Sequence, residues 1–112
     1  MTYAALQNAA GSFVTPSAES FSKAAESADW ANAKDFDLVM TNAPGANAYP
    51  ITATTFVLMP TSPADKAKSK AALAFFRFTL EHGKAQATKL DYVPLPTTLV
   101  QQIETYLDQT IK

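Results

Sequence analysis

The sequence predicts an α/β fold, a mixed sheet flanked by helices, and three stretches carry that prediction. Residues 49–60 are rich in β-branched and aromatic side chains from Ile51 to Val57, with Pro50 and Pro60 at the ends. Phe56, Val57, Leu58 and Met59 run without polar alternation, which suits a strand covered on both faces. Residues 66–82 and 97–110 have helical apolar periodicity and supply the covering layers.

Taken in order, residues 3–6 and 12–14 read as two short strands, with Asn8 to Gly11 as the turn between them. Thr15 and Pro16 read as an N-cap and a first helical proline, opening a helix over residues 16–27. Phe21, Ala24, Ala25 and Ala28 share one face of it. Trp30, just beyond, is expected to anchor the helix end. Residues 35–40 form a second apolar patch of unassigned type, and residues 41–48, with Asn42, Pro44, Gly45 and Asn47, form a loop.

Ser62, Pro63 and Asp65 open the longest helix, with Ser62 expected as its cap and Asp65 near its positive end. Ala67, Ala71, Ala74, Phe75 and Phe78 cluster on one face. Leu73, Phe76 and Leu80 extend the apolar coverage almost all round, so this helix is expected to be mostly buried. Lys66, Lys70, Arg77 and Glu81 keep a narrow polar stripe. Gly83 marks a stop or kink, residues 84–90 resume as a short helix, and residues 91–96 are an extended connector ahead of Pro94 and Pro96. Thr97 is expected to cap the last helix, whose apolar face is Leu99, Ile103, Tyr106, Leu107 and Ile111.

Composition narrows the function classes. The 112 residues make one small domain or a piece of a larger one. Nine basic residues against ten acidic ones give no basic excess for nucleic acid or an anionic membrane. No run approaches the roughly 18 apolar residues of a bilayer span, and the first residues lack the basic and apolar regions of a signal peptide. There is no cysteine and only one histidine, so thiolate chemistry, disulfides and multi-histidine metal sites are excluded. Gly11, Gly45 and Gly83 are too far apart for a phosphate-binding loop.

The order of these pieces resembles a known family. Ser20-Phe21, Ala24-Ala25 and Ala28-Asp29-Trp30 come first. Tyr49-Pro50-Ile51-Thr52-Ala53-Thr54-Thr55-Phe56 follows, then Phe75-Phe76, Gln86-Ala87, Leu90-Asp91-Tyr92 and Leu95-Pro96. In combination they are similar to the C-terminal third of the phosphate-binding protein of bacterial ABC transporters. The resemblance runs from about Tyr3 to Leu107. It implies a two-lobed receptor of the periplasmic-binding-protein type (type II), α/β in each lobe. Residues 1–48 would end the second lobe, residues 49–60 would be the crossing or hinge strand, and residues 61–112 would be helices packing on the first lobe. The implied partners are inorganic phosphate and the membrane permease, in the periplasm, with no cofactor and no catalysis. The family holds phosphate with hydroxyls, backbone N–H groups, an arginine and an aspartate from its N-terminal two-thirds. None of those motifs falls on this sequence, so no ligand-binding residue is carried over. The alternative is an interaction fragment that self-associates through exposed sheet edges, or is complemented by the missing N-terminal part.

Candidate residues weigh the same way. Thr52 and Thr54 on one strand face, and Thr55 on the other, could donate to an anion, but β-propensity alone accounts for them. The helix starts at Ser17 and at residues 62–65 could bind an anion, although Asp65 would repel phosphate. His82 matches a helix C-terminus better than a catalytic base, since no nucleophile accompanies it. Asp35 and Asp37 lack a third metal ligand, and Phe75, Phe76 and Phe78 lack the basic surround of a base-stacking platform.

Overall fold

The computed structural model describes residues 2–111. The element order is β1 (Leu6–Gln7), β2 (Phe13–Val14), α1 (Ala18–Ser27), two 3-10 turns (Trp30–Asn32 and Lys34–Phe36), α2 (Lys66–His82), α3 (Lys84–Lys89) and α4 (Thr97–Thr110). The chain divides into two units, one ending at Thr55 and the other beginning at Phe56.

The first unit is built on a hairpin and one helix. β1 and β2 pair antiparallel, Leu6 opposite Val14 and Gln7 opposite Phe13, as the two short strands and turn predict. Gly11 takes φ +81° in that turn, where a side chain would be strained. Asn8 is buried, and its side chain ties the hairpin to the loop before Tyr49. Its Oδ1 accepts from the N–H groups of Ala10 and Ser12, and its Nδ2 donates to the carbonyls of Gly45, Ala46 and Ala48 at 3.2, 2.8 and 3.1 Å.

The helix starts two residues later than the Thr15-Pro16 pair predicts. Ser17 is the cap: its Oγ accepts from Ser20 N–H at 3.1 Å, and Ser17 N–H donates back to Ser20 Oγ at 2.9 Å. This reciprocal pair satisfies two otherwise orphaned donors, which outweighs the advantage of proline at the first position. α1 then buries Ala24 and Ala25. Ala24, Ala43 and Ala48 form a core cluster, and such small side chains let the 43–48 loop lie close on the helix. A Cβ on Gly45 would come within 2.8 Å of Ser27 Oγ. Tyr49 N–H donates to Ser20 C=O at 3.1 Å, and the Tyr49 ring meets Phe21 edge-on at 5.5 Å. Trp30 is buried where the sequence places an anchor, and its Nε1 donates to Ala25 C=O at 2.7 Å. The apolar patch over residues 35–40 resolves into the second 3-10 turn and irregular chain, with Phe36 beside Trp30 and Met40 buried.

Two expectations for the sheet are corrected. Residues 49–60 are not a strand: among the described residues the only paired strands are β1 and β2. The segment is also uncovered, with Ile51, Phe56, Val57 and Leu58 exposed, Leu58 at 95%. Strand formation needs a neighbour to complete the ladder, and no segment of these residues supplies one. The flanked mixed sheet is therefore reduced to a two-stranded antiparallel hairpin. Alternation survives only in the first half, where Thr52 and Thr54 are half-buried and Ala53 and Thr55 exposed.

The second unit is helical. α2 has the predicted span, but its cap is Asp65, not Ser62: the Asp65 carboxylate accepts Lys68 N–H at 3.0 Å and the backbone turns helical only after it. No residue of α2 is buried, against the expectation of a mostly buried helix. Ala72, Leu73, Phe76 and Leu80 are half-buried on one face, whereas Ala67, Ala71, Ala74, Phe75 and Phe78 are all exposed. The apolar pattern asks for cover on both sides, and the other helices of this unit are too few to give it. Gly83 closes α2 and opens α3 with helical dihedrals, so the chain kinks there instead of stopping; a Cβ would run into the Thr79 carbonyl. After α3, Asp91 takes a positive φ and Tyr92 N–H donates to Ala87 C=O, and the extended connector follows. α4 begins at Thr97 after Pro96, without the expected hydroxyl cap. It buries Leu99 and Leu107, with Ile103, Tyr106 and Ile111 half-buried along the same predicted face. Arg77 pairs with Asp108 at 2.5 Å, joining α2 to α4.

Candidate functional site

Of the three threonine hydroxyls weighed as anion donors, one is engaged within the chain. Thr52 Oγ1 donates to Tyr49 C=O at 2.8 Å. Thr54 Oγ1 is shielded from solvent with no hydrogen-bond partner, and Thr55 is exposed. Thr52, half-buried and engaged, Thr54, shielded and unpartnered, and Thr55, exposed, are in three different environments.

The two helix starts are occupied by their own caps. At α1, Ser20 Oγ lies within hydrogen-bond distance of Ser17 Oγ and donates toward the carbonyls of Thr15 and Ser17. The hydroxyls there are spent on one another. At α2, the Asp65 carboxylate sits over the first turn, with Lys68 Nζ at 3.5 Å. A second anion would meet its charge.

The titratable candidates are equally dispersed. His82 is exposed, 3.5 Å from Glu81 Oε2, with the Phe78 ring centred 5.0 Å away. Both contacts lie on the last turns of α2, and no nucleophile is among them. Asp35 and Asp37 lie around a sharp reversal where Asp35 and Phe36 both take positive φ. Among the described residues no group of three histidines, cysteines or acidic residues is placed to hold a metal ion. Lys23 and Glu26 have displaced pKa values. The hydrogen bond between Lys23 and Glu26, 2.7 Å across one turn of α1, raises the lysine and lowers the carboxyl, and both are exposed. That pair is a surface ion pair, not a tuned acid and base.

Phe75, Phe76 and Phe78 are not a common core. Phe76 is half-buried, while Phe75 and Phe78 stand in solvent, with the Phe75 and Phe76 rings edge-on at 5.4 Å. The outward face of α2 is the feature that reasoning from the sequence misread. Its alanine and phenylalanine spacing predicts a buried face, and the structure leaves Ala67, Ala71, Ala74, Phe75 and Phe78 exposed. The described residues therefore assemble structure and an exposed apolar face on α2. No described helix is long and apolar enough to cross a membrane.

Comparison with known proteins gives this surface a context. No family model matches the chain. Among curated proteins, it is 61% identical over 106 residues to the phosphate-binding protein PstS of Xylella fastidiosa (strain Temecula1), covering 95% of this chain and 29% of that protein. It is 40% identical over 112 residues to PstS of Pasteurella multocida and 38% identical over 112 residues to PstS of Haemophilus influenzae. Both matches cover all of this chain, and 33% and 34% of those proteins. The chain thus spans about a third of the length of the curated relatives it matches. The resemblance carried by the Tyr49 to Phe56 motif and by Leu90-Asp91-Tyr92 is borne out along the whole chain: its sequence is that of the phosphate-binding protein family, over about a third of that family's length.

Proposed function

We propose that these residues supply the C-terminal third of a phosphate-binding, solute-binding component of a bacterial phosphate ABC transporter, working in the periplasm with a membrane permease. The observation that supports this reading is 61% identity to one phosphate-binding protein across 95% of the chain. The role is binding, not catalysis. The ligand is held by groups outside these residues, in keeping with helix starts and a Thr52 hydroxyl here that are already spent on internal hydrogen bonds. This part contributes lobe structure, and residues 49–60 act as the hinge or crossing segment when the receptor closes around phosphate. Fixed donors in the rest of the receptor would then replace the water around the anion.

The reading is tested by phosphate calorimetry on two proteins. One is the 112-residue chain alone. The other is the Xylella fastidiosa relative with its matched stretch replaced by this chain. The chain alone gives no saturable heat, and the chimera binds phosphate within about tenfold of the parent, or roughly 1.4 kcal/mol. A chimera that folds and fails to bind phosphate overturns the proposal, and saturable binding by the chain alone overturns the placement of the ligand groups outside it.

A second reading has its own support. Phe56, Val57, Leu58, Phe75 and Phe78 are exposed together in one unit, a surface that favours self-association. Light scattering on the isolated chain reads this directly, as a dimer or larger species in place of a monomer.

A further inference from the structure

We draw no further inference here: the strongest candidate, the exposed apolar patch on the outer face of α2 (Ala67, Ala71, Ala74, Phe75 and Phe78), carries nothing new, because its packing on the rest of the receptor is already what the family resemblance implies and nothing in the structure shows any other cover for it.

Discussion

In the unit that ends at Thr55, Ala24, Ala43 and Ala48 pack together, Trp30 is buried with its N–H satisfied, and Asn8 closes five backbone contacts. In the unit that begins at Phe56, Leu99 and Leu107 are the buried hydrophobic residues among those described, while Phe56, Val57, Leu58, Phe75, Phe78, Leu90 and Tyr92 are exposed. The second unit does not lack apolar residues, since it has more large apolar side chains than the first. The contrast is one of partners. The first unit folds a small apolar core against its own loop and helix, through contacts distant in sequence, and leaves Tyr3, Phe13, Val39 and Ile51 exposed. The second offers a helix and an extended segment whose complements are not within these residues. A sequence matched over a third of a longer receptor can hold one element set that closes on itself and another that does not.

The sharpest way to break that contrast is to remove the anchor of the first unit. Trp30→Ala strips a buried aromatic and its hydrogen bond to Ala25 C=O, and is expected to cost about 3 kcal/mol, read by thermal melting. Asn8→Ala comes next, at about 2 kcal/mol, because it leaves the N–H groups of Ala10 and Ser12 and three loop carbonyls without their shared partner. Gly45→Ala pushes a methyl onto Ser27 and the Lys23 carbonyl, and costs about 1 kcal/mol through overpacking. Phe78→Ser, in the second unit, is expected to change the stability of the isolated chain by less than about 0.5 kcal/mol, since the ring is already exposed. A loss comparable to that of Trp30→Ala would mean that the α2 face is packed after all.

The smallest effect is pH-dependent. Glu26 has its pKa lowered by the hydrogen bond from Lys23, so the contribution of the pair is present above the ordinary carboxylate range and is lost as pH falls through the depressed value. Helicity of the chain should therefore decline slightly on acidification, and Glu26→Gln should remove that part of the decline. The partner Lys23 has its pKa raised, so the upper limit of the effect lies above neutral pH.

Local chemistry was legible in the sequence and long-range chemistry was not. The span of α2, the break at Gly83, the start of α4 at Thr97, the hairpin around Asn8 and the anchoring Trp30 all follow from periodicity, turn residues and size. Caps were ambiguous because several acceptors stand in a row. Ser17 with Ser20 and Asp65 with Lys68 won by completing backbone hydrogen bonds that Thr15 and Ser62 do not make. The strand at residues 49–60 was misread for a deeper reason. β-propensity describes a fit to a sheet, and the rest of the sheet has to be present for the fit to be realised. The same holds for the outer face of α2, whose pattern reports a partner without saying whether that partner belongs to these residues. For the site, the threonines and helix starts weighed as anion donors do not form one cluster in the structure, and Thr52 and both helix starts are satisfied internally.

Native-state hydrogen exchange on the 112-residue chain addresses the contrast between the two units without any substitution. The account predicts slow exchange at the amides of Ala24, Ala25 and Ala48, and exchange near the rate of an unstructured peptide from residues 56 to 59. Protection of residues 56–59 equal to that of Ala24 in a monomeric chain would contradict it, because the segment would then already have its partner.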